Sequence, residues 1–176
     1  MGMIKTSFGS LRVYTLADAE SLAKYANNPK IADNLRDGFP HPYTRENALE
    51  FIRIATAKNP PTLFAIADSV EVIGGIGLMP KTDVHRLTAE LGYWLGEPFW
   101  GQGIGAESVK AIVSYGFETL GLLRIFAEPY DSNPASCRVL EKAGFVLEGR
   151  LKNDVIKNGI IRDSLMFALT RDPVKR

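Results

Sequence analysis

The short, largely apolar run at residues 11–16 (LRVYTL) predicts a strand. Asp18 then reads as a helix N-cap, and the segment reaching Asn27 or Asn28 predicts a first helix. Residues 33–43 (DNLRDGFPHPY) are broken by Gly38, Pro40 and Pro42 and predict a loop. Thr44 caps a second helix whose stripe is Leu49, Phe51, Ile52 and Ala55. Strands are predicted at 62–68, 71–79 and 88–95, the first two joined tightly through Asp68-Ser69 as an antiparallel hairpin. After 101–105 the apolar period switches from strand-like to helical, with Val109, Ile112, Val113, Gly116, Phe117 and Leu120 on one face. Residues 122–128 predict a short buried strand. Asn133-Pro134 opens another helix, with proline at its first position, Gly144 beyond its end and Ala135, Val139, Leu140 and Ala143 as its stripe. Strands at 145–151 and near 160–169 follow, turned by Asn158-Gly159.

The order β-α-α-β-β-β-α-β-α-β-β predicts an α/β (α+β) fold, a mixed sheet flanked by helices. The 176 residues contain no repeat and no low-complexity linker, which predicts a single domain over 1–176. With 45% hydrophobic residues the chain can bury a core, so a disordered tail is excluded. Its 21 basic and 20 acidic residues leave a formal charge of +1, giving no bulk field for nucleic acid or an anionic membrane. Cys137 is the only cysteine, so no disulfide within the chain and no cysteine-based zinc site can form, and a cytoplasmic location is expected. His41 and His85 are too few for a histidine-rich metal centre, and no metal is expected. Neither a signal peptide nor a run of apolar residues of membrane-spanning length is evident.

Glycine is concentrated in one place: Gly74, Gly75, Gly77, Gly92, Gly96, Gly101, Gly103 and Gly105 lie close together in the chain. In WGQGIGAESV (100–109) a glycine-rich stretch leads from a strand into a helix. Such a turn exposes backbone N–H groups at the positive end of a helix dipole, a site for phosphate or pyrophosphate. A plain strand-to-helix turn would have the same spelling. No Walker string is present, and the third glycine of GQGIGA comes one place early for a dinucleotide fingerprint and follows several strands.

The loop and its surroundings resemble the GNAT superfamily of N-acetyltransferases, and more narrowly its Rim-type branch, whose enzymes acetylate ribosomal-protein N-termini. The resemblance rests on FPHPYTRENALEFI (39–52), AELGYWLGEPFWGQGIGAE (89–107), NPASCRVLEKAGFVLEGRL (133–151) and the KNG…RDS hairpin (157–164), and so covers nearly the whole chain. Trp100 stands where the wider superfamily has Gln or Arg, and Trp is usual in the Rim-type branch. The resemblance implies a mostly antiparallel, splayed sheet. It implies acetyl transfer from acetyl-CoA to a primary amine, by direct attack in a ternary complex. The acceptor would be a protein N-terminal α-amine or a small molecule, with antibiotic or polyamine acetylation as a rival. Outside that class stand an inactive acyl-CoA-binding module and a nucleotide-binding regulator.

Site residues follow from the same resemblance. Backbone amides from Gln102 through Gly103, Ile104 and Gly105 to Ala106, with Trp100 and Gly101 leading in, would hold the pyrophosphate. Pantetheine would run along strand 88–95, opened by Gly92 and Gly96, with a backbone amide near Trp94 or Leu95 as oxyanion donor. Many relatives protonate the leaving thiolate with a tyrosine where this chain has Leu140. Ser136 is the expected substitute, Asn133 caps the helix and meets pantetheine, and Arg138 reaches a phosphate. Glu90 alternates with Ala89, Leu91, Tyr93 and Leu95, projects from the other sheet face and is the expected base, although a solvent-facing glutamate would read alike. Phe39, His41, Tyr43 and His85 are expected around the acceptor, and Cys137 is expected to be a packing residue. The protein is expected to be a monomer or a homodimer.

Overall fold

The structure, a computed structural model, describes residues 3–172. Eight strands and five α-helices follow in order: β1 (Met3–Lys5), β2 (Ser10–Arg12), α1 (Ala19–Ala26), α2 (Pro29–Ala32), α3 (Arg45–Thr56), β3 (Leu63–Ala67), β4 (Val72–Pro80), β5 (Thr88–Leu95), α4 (Ile104–Glu118), β6 (Arg124–Ala127), α5 (Pro134–Lys142), β7 (Val146–Lys157) and β8 (Ile160–Thr170). The strands form one sheet in the order β1-β2-β3-β4-β5-β6-β8-β7. Every neighbouring pair is antiparallel except β5–β6, as expected of a mixed, mostly antiparallel sheet.

Local chemistry sets the helix ends. Thr44 and Asn47 exchange hydrogen bonds at the start of α3, each bonding the other's orphan backbone amide. Asn133 accepts from the Ser136 amide and Pro134 occupies the first turn of α5. Gly144, with φ +96°, carries the chain out of that helix. One face of the sheet packs Ile66, Ile76, Leu78 and Leu91 against Val109 and Ile112 of α4 and Leu140 of α5. The other packs Tyr14 and Ala65 against Leu22 of α1 and Ile52 of α3. Close packing explains Gly75: a Cβ there would lie 2.7 Å from the Tyr14 hydroxyl and 2.8 Å from Trp94 Nε1.

Five features depart from the sequence pattern. The strand expected over 11–16 is only Ser10–Arg12, and it pairs with β1, too short to carry a period. Asp18 does not cap α1. Its carboxylate instead accepts from the Thr15 amide and the Arg12 guanidinium. The short α2 is set by the Asn28 side chain accepting from the Lys30 amide ahead of the loop. β7 runs to Lys157 rather than 151, because its outer half is exposed and irregular and carries no apolar alternation. Ala135 is exposed, since the first turn of α5 faces a cleft rather than the core.

Burial works against the Asp18 charge, but Arg12 and the Thr15 amide more than offset it and hold the carboxyl below the usual carboxylate range. A carboxyl depressed on folding stabilises above its unfolded pKa of about 3.9 and loses that contribution as pH falls through its folded value. Asp18→Asn is therefore expected to cost about 2 kcal/mol near neutral pH. The two proteins should converge in strong acid, and urea unfolding at both extremes checks this.

Candidate active site

A cleft of about 1150 Å³ opens where the sheet splays. β5 and β6 pair only over Thr88–Glu90 against Arg124–Phe126, so from Leu91 to Leu95 the far edge of β5 carries no strand. The direction of its backbone groups follows from the ends. The Leu87 carbonyl accepts from Leu123 and Arg124 on the β6 side, whereas the Thr88 carbonyl and the Gly96 amide bond to the β4 side. Successive residues alternate, so Leu91, Tyr93 and Leu95 turn their backbone groups to the gap and Trp94 turns its own to β4. Of the two oxyanion donors expected from sequence, the Leu95 amide faces the opening, and Trp94 contributes its ring to the cleft wall. Opposite Gly92 in the ladder stands Gly77, and the Met79 and Leu63 side chains reach over the two glycines.

The glycine turn closes one end of the cleft. Gly101 and Gly103 have φ of +76° and +83°, and a Cβ on either would meet nothing within 4 Å. Gly103 is the N-cap of α4 and offers no side chain to its first turn, so the amides there remain available to a ligand. Gly101, Gly103, Ile104, Gly105 and Ala106 line the cleft beside Arg138 and Lys142 of α5. Trp100 Nε1 donates to the Leu95 carbonyl at 2.7 Å and ties the turn to the end of β5. Gln102 turns its side chain away, donating to the Pro98 carbonyl. Bare amides at the start of a long helix, with two cations nearby, fit a pyrophosphate group.

Two sets of protic groups flank the gap. On the α5 side the Tyr93 hydroxyl lies 2.7 Å from Ser136 Oγ. Burial pushes the Tyr93 hydroxyl up to about 12, against the Ser136 hydrogen bond, so it stays protonated at neutral pH. On the opposite face Glu90 is buried and accepts from Arg36, with Lys81 Nζ at 3.7 Å. Glu128, just beyond β6, lines the same space. Burial, and then the Glu90 and Asp154 charges, push its carboxyl above the ordinary range, against Arg36 and Lys81. Cys137 is half-buried, its thiol is pushed up chiefly by burial, and its Sγ donates to the Asn133 carbonyl.

Aromatic rings also wall the cleft. Phe39 stands 5.1 Å from Tyr43 and 6.0 Å from Trp94 between ring centroids, and Tyr14 meets Phe51 edge-on at 5.3 Å. The structure thus brings together Glu90, Trp94, Leu95, Trp100, Gly101, Gly103, Ile104, Gly105, Ala106, Asn133, Ser136, Arg138, Phe39 and Tyr43 on one cleft. Three sequence expectations depart from it, the first being Gln102, which does not line the cleft and turns its side chain to the Pro98 carbonyl. His41 and His85 are exposed and stand outside the cleft lining: His41 lies in the loop before α3, and His85 in a turn between β4 and β5. Three residues at the site carry no sequence signal of their own. Tyr93 hides in the apolar alternation of β5, and Arg36 sits in an irregular loop. Glu128 follows a buried strand, where an acid directly after RIFA is the one available hint.

Residues 10–146 match the family model of the acetyltransferase (GNAT) domain. The chain is 38% identical over 104 residues to the uncharacterised N-acetyltransferase YoaA of Bacillus subtilis, an alignment spanning 59% of this chain and 58% of that one. It is 30% identical to the uncharacterised N-acetyltransferase p20 of Bacillus licheniformis over 92% of each. The solved structure of RimL, a ribosomal L7/L12 α-N-protein acetyltransferase in complex with coenzyme A, superposes with a TM-score of 0.84 at 22% identity, over 96% of this chain and 97% of that one. With its domain match, its relatives and a splayed sheet beside a bare helix N-terminus, the chain belongs to the GNAT family and is an acetyl-CoA-dependent N-acetyltransferase.

Proposed function

We propose that the chain acetylates a primary amine, a protein N-terminal α-amine or a small-molecule amine, by direct attack in a ternary complex. The observation that carries this reading is the meeting of three features in one cleft: the unpaired edge of β5, the glycine turn of α4 and the Glu90–Glu128 carboxylates. Acetyl-CoA supplies an activated thioester when bound. The amides of the α4 first turn hold its pyrophosphate, with Arg138 and Lys142 as counter-charges. The open edge of β5 orients pantetheine, and the Leu95 amide is the donor available to a developing oxyanion.

An ammonium is not a nucleophile, so the acceptor must lose a proton. Glu128 is the proton acceptor of the pair, because Glu90 is tied up by the Arg36 hydrogen bond with Lys81 beside it, while burial raises the Glu128 carboxyl above the ordinary range. On the other face Ser136, with Tyr93 behind it, offers a hydroxyl to the departing thiolate, a role that buried Leu140 cannot fill. The aromatic wall of Phe39, Tyr43 and Trp94 supports an acceptor carrying apolar groups beside its amine. The name of the RimL structure supports a protein N-terminus as that acceptor.

The test is thiol release from acetyl-CoA with a panel of amines, including short peptides with free Ser, Ala or Met N-termini. Turnover with at least one amine is expected. Coenzyme A binding without turnover on a broad panel overturns the reading in favour of a ligand-binding module.

A further inference from the structure

The loop between α2 and α3 carries an exposed cation into the acceptor half of the cleft. The Arg36 side chain is 71% exposed, yet its guanidinium donates to Glu90 Oε1 at 2.5 Å and lies 3.9 Å from Glu128 Oε2. The carboxylates it spans are only 11% and 25% exposed. A long exposed side chain loses rotamer freedom when held in one geometry, which usually cancels much of the gain from a surface ion pair. This arginine is therefore well placed only if its backbone is fixed.

Two anchors fix it, one on each side. Asn158 Nδ2 donates to Asp33 Oδ1, and Lys157 Nζ donates to Asp37 Oδ1, each at 2.8 Å. Both donors sit at the turn between β7 and β8, far along the chain from the loop they hold. The Lys157 side chain is 7% exposed while Asp37 is 82% exposed. A buried ammonium is costly without a counter-ion, so Lys157 draws Asp37 down and the loop with it.

We propose that Arg36 is a positioning residue for the Glu90–Glu128 pair, held over it by the β7–β8 turn. This rests on the reading of Glu128 as proton acceptor. The charges facing Glu128 are Glu90 on β5, Asp154 on β7, Arg36 on the loop and Lys81 after β4. Two like charges side by side resist joint ionisation, and a cation between them relieves that. Without Arg36 only Lys81 remains to offset Glu90 and Asp154, and Glu128 keeps its proton to higher pH.

The experiment follows the Glu128 carboxyl carbon by NMR against pH in the full chain, assigned by its loss in Glu128→Gln. Arg36→Gln is expected to raise the titration midpoint by about 1 pH unit, a modest figure for a cation that is largely solvated. Arg36→Lys should restore most of it. The double variant Asp37→Asn with Lys157→Met removes both charges of the anchor without stranding one, and should raise the midpoint in the same direction by less. The acid limb of kcat/KM should move with the midpoint. An unmoved midpoint in Arg36→Gln overturns the positioning role, and an unmoved midpoint in the double variant overturns the anchor. If Glu128→Gln keeps the wild-type acid limb, the reading of Glu128 as the base fails, while the NMR midpoint still decides the role of Arg36.

Discussion

Glu128→Gln is expected to lower kcat/KM for the amine acceptor by about 10²-fold at neutral pH, the lower end of what a positioned general base contributes. Coenzyme A affinity should be unchanged, because Glu128 stands with Glu90 at the paired end of β5, whereas the glycine turn follows its unpaired end. The pH profile identifies the cause. A base works in its ionised form, so the activity that depends on Glu128 falls as pH drops through its carboxyl value. Burial and the Glu90 charge place that value above the ordinary glutamate range. The wild-type profile should therefore lose activity at a higher pH than a solvent carboxylate would give, and Gln at this position should abolish that limb. The acceptor's own ammonium also produces a limb, but that one moves with the acceptor, near ~8 for an α-amine and ~10 for an alkylamine. Profiles with two amines of different basicity separate them. A Glu128→Gln enzyme with wild-type kcat/KM and an unchanged profile would leave the proton acceptor elsewhere.

The second large effect concerns the cofactor. Gly103→Asp is expected to weaken coenzyme A binding by about 10²-fold, or about 3 kcal/mol. Gly103 has a φ of +83° and faces open space, so the new side chain has room but places a carboxylate against the amides that would receive phosphate. Asp tolerates left-handed backbone better than most residues, so the fold should survive. Gly103→Ala introduces the conformational strain without the charge and should lose much less. Calorimetric titration of coenzyme A into all three proteins distinguishes the cases. Equal losses in Ala and Asp would assign the effect to backbone strain, and unchanged affinity in Asp would remove the turn from the binding site.

The parts of the site written in contiguous sequence were legible. A glycine turn followed by a helix states its own geometry, because bare amides and a dipole need only local backbone. Asn133-Pro134 spells out a helix start, whereas Ser136 was singled out by the family resemblance. The carboxylate pair was only half legible. Glu90 alternated with the apolar residues of β5 and drew notice, but the same pattern suits a surface glutamate, and its contacts depend on a loop from another part of the chain. Glu128 was silent because β6 is too short to display a period. Tyr93 read as core because its side chain is apolar except at the hydroxyl that meets Ser136.

The chain's sequence by itself determined the order of helices and strands apart from β1 and α2, a mixed sheet, and a glycine turn leading into a helix. Those depend on side-chain period, on proline and glycine, and on capping residues that act within a few positions. Tertiary structure alone decided where β5 and β6 part, that Glu128 joins Glu90, and that Arg36 spans them under a latch from the distant β7–β8 turn. Charge and burial are set by neighbours in space, and chain order carries no record of which loops a sheet will bring together.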